Sequence, residues 1–345
     1  MQTERFIVEA ELSANDLWRV PAEARRLEAL GYSAAFSIEA IRDPFLPLVV
    51  AAEHTTRLGL GTSVAIAFPR APMVTAQLSW DLQRFSKGRF LLGLGSQVRK
   101  HNEERFSVKW TAPVARMREY IETLRAIWES WQQGTKPAFV GEHYRYTYTS
   151  PFFHPGPIEH PRIPVAIAAV NPAMCRLAGE LCEGVRLHPF CTRLYLEKTI
   201  LPNIAAGALK SGRRVEDVEL AGGGFIATGA DDGAVEQRIQ AVRRQIAFYG
   251  STPAYFGVLE AHGWGELGGR LNQLARTGKW EEMAAAVPDE VVEAFTAIGR
   301  YDEIAPVIRN RFRGIARVPF PAPSDDGREE GLVREILQAL TGEDA

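Results

Sequence analysis

One carboxylate stands where an apolar segment of the chain ends. Glu39 directly follows residues 32–38, YSAAFSI, whose small, aromatic and aliphatic side chains predict a buried strand. A carboxylate at the end of a buried strand can transfer a proton or bind the polar edge of a ligand. It can equally cap a helix or join a salt bridge. Glu39 is therefore a candidate catalytic residue with a structural alternative.

Two further apolar runs end in small or polar residues. Residues 57–67, RLGLGTSVAIA, turn polar at Thr62 and Ser63, and residues 88–96, GRFLLGLGS, end next to Gly95. Glycine leaves room for a flat ligand to approach the backbone. Turn formation is the ordinary alternative for any single glycine. Only the recurrence of such ends indicates a shared binding site.

A predicted helix start could supply an anion site. Asn171 precedes residues 172–182, PAMCRLAGELC, whose apolar spacing predicts a helix with proline at its first position. The backbone amides of a helix N-terminus bind anions such as phosphate. Asn171 is equally a common N-cap residue, so this interpretation also has a structural alternative.

The chain lacks the sequence motifs of several other kinds of functional site. The chain has no H-E-x-x-H, no paired C-x-x-C, no G-x-S-x-G and no P-loop, so we predict no metal site. The net charge of −2 gives no electrostatic footprint for nucleic acid. No run approaches the roughly 18 apolar residues of a membrane span. Three cysteines and a charged N-terminal MQTERFIVEAE predict a cytoplasmic protein.

The candidate residues must be positioned by a regular alternation of strands and helices. Apolar runs predict eight strands, at 5–12, 32–38, 57–67, 88–96, 163–170, 183–190, 218–228 and 315–321. Helical spacing follows each strand, at 22–31, 44–55, 72–86, 113–134, 172–182, 193–212, 232–250 and 327–340. Such alternation indicates parallel strands.

Eight strand–helix units predict an α/β fold, a (β/α)8 TIM barrel, in a single domain over residues 1–345. An open doubly wound sheet is the alternative, but it would need G-x-G-x-x-G after the first strand. GLGTSV (59–64) and GLGSQV (93–98) both lack the third glycine. Two insertions interrupt the alternation: a hairpin-like, aromatic one at 136–161 and a mostly helical one at 251–314. Because barrel active sites lie where strands end, the polar strand ends should meet.

On this background, five segments resemble the bacterial luciferase-like monooxygenase superfamily, and in particular its actinobacterial coenzyme F-420-dependent oxidoreductase branch. They are GYSAAFSIEA (31–40), EHTTRLGLGTSVAIAF (53–68), GRFLLGLGS (88–96), VAIAAVNPAMCRLAGELCEGV (165–185) and IGRYDEIAPVIRNRF (298–312). The resemblance implies a (β/α)8 barrel, a flavin or deazaflavin in the barrel mouth, and a homodimer.

The resemblance also implies roles for single residues. Thr62 and the non-proline cis peptide at Ser63–Val64 would contact the cofactor under its central ring, and Glu39 would lie near the polar edge of that ring. The remaining cofactor contacts, along its side chain and phosphate, would come from Gly95, Ser96, Gln97, Val170, Asn171 and Ala173.

The chain departs from the family pattern at two places. Some relatives follow the acidic residue with a histidine that acts as acid or base, where this chain has Ala40. The sugar-phosphate dehydrogenase relative has a glutamate after the fourth strand, where this chain has residues 98–100, VRK. His101 and Glu103 are the nearest replacements. We take His101 as the second candidate catalytic residue.

The resemblance implies hydride transfer between coenzyme F-420, an 8-hydroxy-5-deazaflavin, and a small organic substrate. A deazaflavin has carbon where a flavin has the nitrogen that leads to oxygen activation, so it favours hydride transfer. One alternative is an FMN-dependent monooxygenase that uses reduced flavin and oxygen. Another is a protein that binds a flavin or deazaflavin but catalyses no reaction. This alternative stays open because Ala40 stands where some relatives have a histidine that acts as acid or base. Aromatic residues such as Tyr144 and Tyr255 favour an apolar substrate, although ordinary packing explains them equally.

Overall fold

We describe the protein from a computed structural model, which covers residues 5–12, 16–324 and 327–342. Residues 1–4 of the N-terminal segment considered above lie outside the described residues. The strands are β1 (Ile7–Glu11), β2 (Ala34–Ser37), β3 (Gly59–Thr62), β4 (Ala65–Ile66), β5 (Phe90–Gly95), β6 (Phe139–Val140), β7 (Arg145–Tyr146), β8 (Val165–Ala168), β9 (Gly184–Leu187), β10 (Glu219–Gly222), β11 (Phe225–Gly229), β12 (Thr296–Arg300) and β13 (Arg317–Pro319).

The α-helices are α1 (Val20–Leu30), α2 (Phe45–His54), α3 (Pro72–Phe85), α4 (Pro113–Gln133), α5 (Pro172–Leu181), α6 (Arg193–Tyr195), α7 (Leu201–Lys210), α8 (Asp232–Gly250), α9 (Phe256–Glu260), α10 (Gly265–Arg276), α11 (Trp280–Ala285), α12 (Asp289–Phe295), α13 (Ile304–Arg311) and α14 (Glu330–Thr341). Helix α1 buries residues spaced by three or four positions, Val20, Ala24, Leu27 and Leu30. This spacing is that of one helix face packed on the barrel.

The parallel strands close into a barrel. Neighbours follow the order β3, β2, β1, β13, β10, β9, β8, β5 and β4, and β3 also pairs with β5, which closes the ring. Strands β3 and β4 are two parts of the third barrel strand, separated at residues 63–64, so the nine segments form eight positions. The predicted (β/α)8 barrel is confirmed.

The seventh predicted strand, 218–228, is divided. Strand β10 belongs to the barrel, whereas β11 leaves it and pairs in parallel with β12, from Phe225 opposite Thr296 onwards. The break falls at Gly222, Gly223 and Gly224, whose φ angles are 80°, 91° and 155°. Three consecutive residues in this region cannot continue a β-strand. The interpretation of residues 218–228 as one continuous strand is therefore wrong, and the alternative end at residues 222–224, which the sequence also allows, is the one found.

The two segments that interrupt the alternation differ in structure. In 136–161, β6 and β7 pair antiparallel, as the alternating aromatic residues predict. The carboxylate of Glu119 on α4 accepts hydrogen bonds from the backbone amides of Glu142, His143 and Tyr144, at 2.7–3.2 Å, which holds the hairpin turn on α4. Segment 251–314 contains α9 to α13, but also β12, which helical spacing did not predict.

Charged side chains fill part of the barrel interior. Glu9 on β1 accepts hydrogen bonds from Arg186 on β9 and from Arg317 on β13, the latter at 2.9 Å. Arg317 also donates to Glu219 on β10. Strands β1 and β9 are not neighbours in the sheet, so Glu9 and Arg186 meet across the barrel axis. No helix among the described residues is long and apolar enough to cross a membrane.

Candidate active site

The third barrel strand is interrupted at its carboxyl end. The Ser63–Val64 peptide bond is cis, as the resemblance implies for that position. The Ser63 amide donates to the Ser37 carbonyl at 2.8 Å, and the Val64 carbonyl accepts from the Glu39 amide at 3.4 Å. The interruption is thus attached to the end of β2, beside the candidate carboxylate.

The hydroxyl of Thr62 forms hydrogen bonds between two strands of the barrel wall. Thr62 is fully buried, and its Oγ1 donates to the Gly93 carbonyl at 2.6 Å and accepts from the Gly93 amide at 2.9 Å. These bonds join the third barrel strand to β5 where the interruption disturbs the backbone ladder. The Thr62 side chain is thus used within the barrel wall, and its role in cofactor binding stays a prediction.

The glycines at the end of β5 are also explained by strand packing. A Cβ atom at Gly93 would lie 1.9 Å from the Thr62 carbonyl oxygen, and one at Gly95 would lie 2.6 Å from Cγ2 of Val64. The space beside these glycines is therefore filled by the third strand. Gly95 supports the site by seating Val64, and its expected contact with a cofactor side chain stays a prediction.

A patch of half-buried residues lies where four neighbouring strands end. It consists of Ile38, Ser63, Ser96, Ala168 and Val170, at or just beyond the ends of β2, the third strand, β5 and β8. Small and apolar side chains that remain partly uncovered at a barrel mouth fit a flat ring system. We call these five residues the mouth patch.

Glu39 is engaged in an ion pair. Its Oε2 accepts hydrogen bonds from the Ile66 amide and from Arg70 Nη1, both at 2.6 Å, and its side chain is 7% exposed. Arg70 also donates to Asp43 at 2.9 Å. The structural alternative for Glu39 is thus realised, while its catalytic and cofactor roles stay predictions. Arg70 lay outside every predicted element, so no sequence signal identified it.

His101 lies on the loop that follows β5. It opens a π-helical turn, His101–Arg105, and its side chain is exposed. Arg105 donates to the Ala40 carbonyl at 2.6 Å, which links this turn to the loop after β2. The structure therefore brings the element that carries His101 beside Ala40, where some relatives have a histidine. Its catalytic role stays a prediction.

Two hydrogen bonds shape the residues between β5 and that turn. Buried Asn102 donates through Nδ2 to the Ser96 and Val98 carbonyls, at 2.9 and 3.1 Å. Gln97 has a φ of 55°, and its side-chain oxygen accepts from the Val98 amide. Gln97 is thus held in a left-handed conformation that is uncommon outside glycine.

Helix α5 begins with an uncapped asparagine. Asn171 is exposed, and its carbonyl accepts from the Met174 and Cys175 amides, but its side chain makes no capping hydrogen bond. Ala173 is exposed beside it, and the Val170 carbonyl accepts from the Tyr195 hydroxyl at 3.1 Å. The N-cap alternative is therefore not realised by the side chain. Asn171 and the first turn of α5 remain open to an anion.

One cluster within the described residues has the side-chain types of a metal site. It comprises Glu119, Glu142 and His143. Glu119 already accepts the three backbone amides of the hairpin turn, so its oxygens are used in local structure.

A closed (β/α)8 barrel with a mouth patch and an open helix start belongs to the class of barrels that bind ligands where their strands end. The chain belongs to the family described as luciferase-like monooxygenase, whose sequence profile matches residues 5–316.

The relatives include uncharacterised and characterised proteins. An uncharacterised protein of Mycobacterium tuberculosis is 47% identical over 307 residues, 89% of this chain and 90% of that protein. A 5,10-methylenetetrahydromethanopterin reductase of Archaeoglobus fulgidus is 28% identical, over 87% of this chain and 88% of the reductase.

Solved structures share the fold. The coenzyme F-420-dependent tetrahydromethanopterin reductase of Methanopyrus kandleri superposes with a TM-score of 0.76 at 20% identity, over 98% of both chains. An oxygenating constituent of 3,6-diketocamphane monooxygenase from Pseudomonas putida, in complex with FMN, superposes with a TM-score of 0.67 at 14% identity, over 100% and 99% of the chains. The Archaeoglobus relative and these two structural neighbours are thus oxidoreductases or monooxygenases.

Proposed function

We propose that this protein is an oxidoreductase that transfers a hydride between coenzyme F-420 and a small, apolar organic substrate. The observation that carries the proposal is the mouth patch, whose small or apolar side chains stay half-buried at the ligand-binding end of the barrel. When bound there, a deazaflavin supplies the carbon that accepts or donates the hydride. The protein supplies its orientation and excludes water.

The residues fit the parts of such a cofactor. Ser63 and Val64 would support the ring, since they are half-buried where the third strand is interrupted, beside the end of β2. Ser96 and Gln97 would line the cofactor side chain. Asn171, free of a capping bond, would hold the phosphate together with the first turn of α5. Each of these contacts is part of the proposal.

Replacement of Asn171 tests the phosphate contact. Asn171→Asp places a negative charge at the helix start, so we expect the affinity for oxidised coenzyme F-420 to fall at least about tenfold, which equals about 1.4 kcal/mol. The matched control is Asn310→Asp, an exposed position on α13. Fluorescence titration measures both, and equal affinities for the two variants would remove this contact from the proposal.

The FMN-dependent monooxygenase remains a second candidate, supported by the fold likeness to an FMN-containing oxygenating enzyme. The two functions differ in their use of oxygen. Oxygen uptake coupled to product formation, measured with an oxygen electrode and reduced FMN, would favour the monooxygenase. Substrate-dependent oxidation of reduced F-420 without oxygen would favour the hydride transfer.

We also propose a cytoplasmic homodimer. Exposed apolar side chains on the adjoining helices α2 and α3, namely Leu46, Val49, Val74 and Phe85, support a protein contact there. The three cysteines are buried and unpaired, which supports a reducing compartment. Sedimentation velocity should give twice the chain mass of 38.2 kDa, and Val49→Glu should give the mass of a single chain.

A further inference from the structure

His188 lies at the barrel mouth, directly after β9. Arg186, two residues earlier on the same strand, reaches into the barrel interior to bond Glu9. Because side chains two residues apart share a face of a strand, His188 also projects inward, one step nearer the carboxyl end. Strand β9 is four positions round the eight-position ring from β2. His188 therefore faces the mouth from the side opposite Glu39 and Ala40.

The imidazole of His188 is held between aromatic rings in one tautomer. Its Nδ1 accepts the Phe190 amide at 3.0 Å, so the proton of the neutral ring is on Nε2. The ring centroid lies 4.4 Å from that of Tyr249, edge to face, and 4.6 Å from that of Tyr255. Burial lowers the pKa of His188 to about 4, and no neighbouring charge contributes to the shift. The ring is neutral at pH 7.

A second histidine, in a turn of the same type elsewhere in the chain, shows what is unusual about His188. In His154-Pro155-Gly156, Nδ1 of His154 likewise accepts the amide two residues on, at 3.1 Å. There, Nε2 is satisfied by the Ser130 carbonyl at 3.2 Å. For His188, no hydrogen-bond partner of Nε2 occurs in the described parts of the chain, and the atom is not sealed from solvent. The turn accounts for one nitrogen of His188 and leaves the other as an available donor.

We propose that Nε2–H of His188 binds the oxygen of the substrate, and that this substrate is an uncharged carbonyl compound with an apolar flank, or the corresponding alcohol. The inference rests on the proposed hydride transfer. The faces of Tyr249 and Tyr255 suit the apolar flank. Since no cationic side chain is bonded to His188 among the described residues, a carboxylate or phosphate bound here would lose hydration without gaining a cation.

The reaction balances with the cofactor named above. In the reducing direction, a hydride from the reduced deazaflavin forms the new C–H bond at the carbonyl carbon. The π electron pair of the C=O bond moves to oxygen, which takes a proton from solvent, and the deazaflavin is oxidised. His188 keeps its proton and stabilises the developing negative charge by its hydrogen bond, as an oxyanion donor does. Alcohol oxidation is the same step reversed.

Two substitutions separate this role from the role of His188 in its turn. His188→Asn keeps an acceptor for the Phe190 amide, as in an Asx turn, but removes the Nε2 donor. His188→Gln keeps an N–H donor at similar reach but loses the turn acceptor. His154→Asn is the matched control, because it alters the same turn at a histidine whose Nε2 is already bonded.

The test measures binding of acetophenone, an uncharged aryl ketone, and of benzoate, an anion of similar size, to protein loaded with oxidised F-420. We expect acetophenone to bind the parent protein and shift the ¹⁵N resonance of His188 Nε2, and benzoate to bind at least about tenfold more weakly. His188→Asn should weaken acetophenone at least about tenfold. His188→Gln should retain most of the affinity, and His154→Asn all of it.

Three results would overturn the inference: no binding of acetophenone, equal affinity of acetophenone and benzoate, or equal acetophenone affinity in the parent protein and His188→Asn. The affinity of each variant for F-420 is measured first. If F-420 binds normally and one of these results is obtained, only the role of His188 fails. If the parent protein does not bind F-420, the proposed function fails, and the ¹⁵N tautomer and acetophenone binding are then measured on the cofactor-free chain.

Discussion

Polar side chains at the strand ends form hydrogen bonds within the barrel, which limits what they can offer to a ligand. The Thr62 hydroxyl is bonded twice to Gly93, and the Glu39 carboxylate is shared between the Ile66 amide and Arg70. Both groups are buried, and an unpaired polar group there would cost free energy. A polar residue at a strand end is therefore as much a sign of strand interruption as of a bound ligand.

Removal of the Glu39 charge should destabilise the protein. Glu39→Gln keeps an acceptor for the Ile66 amide but leaves Arg70 without its buried carboxylate, so we expect the free energy of unfolding to fall by about 1.5–3 kcal/mol. Urea unfolding at pH 7 measures the change. Asp43→Asn is the control, because the Asp43 side chain is 39% exposed and its ion pair with Arg70 should contribute under about 1 kcal/mol. Equal losses in both variants would contradict this view of Glu39.

Among the elements, the third strand and β5 depend on each other. Val64 occupies the space that a side chain at position 95 would need, and the Thr62 carbonyl occupies the space at position 93. The glycines of FLLGLG therefore set how closely the two strands approach. The same approach places Ser63 and Val64 at the mouth.

Gly95→Ala tests this dependence. The added methyl would meet Cγ2 of Val64 at 2.6 Å, so we expect a loss of about 1–3 kcal/mol in the free energy of unfolding. Val64→Ala should reduce that loss in the double variant, which a double-mutant cycle by urea unfolding measures. Gly269→Ala on α10, where nothing lies within 4 Å, should be neutral or stabilising. A loss that Val64→Ala leaves unchanged would show that the two positions do not share this contact.

The sequence predicts an element well when the residues that determine it lie within the element itself, and poorly when they lie far away along the chain. The eight barrel strands and the helix ending at Gly31, with its φ of 102°, follow from apolar spacing and a glycine cap, which are local signals. The division at residues 222–224 does not, because GGG inside an apolar run fits either a flexible strand or a chain break. Strand β12, whose pairing with β11 draws the chain out of the barrel, is about 70 residues away.

Long-range partners also explain what sequence missed at the site. Glu9 in IVEAE and Arg186 in GVRL are charges inside predicted barrel strands, and that pattern was a usable sign of an interior ion pair. His188, two residues beyond Arg186, stands at the end of the sixth predicted strand, but a loop histidine before a proline is the ordinary interpretation of that position. The pairing of Glu39 with Arg70 had no such sign, because Arg70 lies in a loop.

In the molecule as a whole, the ion pairs of Glu9 tie distant strands of the barrel together. Burial by itself would raise the pKa of Glu9, but Arg186 and Arg317 act against this and hold the pKa below its usual 4.5. A lowered folded-state pKa means that the stabilisation is fully present above about pH 4.5 and is lost as the pH falls through the folded-state pKa.

Glu9→Gln should therefore lower the free energy of unfolding at pH 7 by about 3–5 kcal/mol, because it leaves the buried Arg186 charge without its carboxylate. It should also flatten the decline of that free energy below about pH 4.5. Urea unfolding from pH 7 to pH 3 measures both effects. Glu219→Gln is the control, since Glu219 is 33% exposed and pairs only with Arg317 among the described residues. Parallel pH profiles for the parent protein and Glu9→Gln would contradict the assignment.

The choice of cofactor is the central claim, and side-by-side titration of the purified protein with oxidised coenzyme F-420 and with FMN tests it most directly. Fluorescence measures both dissociation constants under one set of conditions. We predict saturable binding of F-420, with FMN at least about tenfold weaker, a difference of about 1.4 kcal/mol. Tight binding of FMN without binding of F-420 would contradict the deazaflavin assignment and favour the flavin monooxygenase.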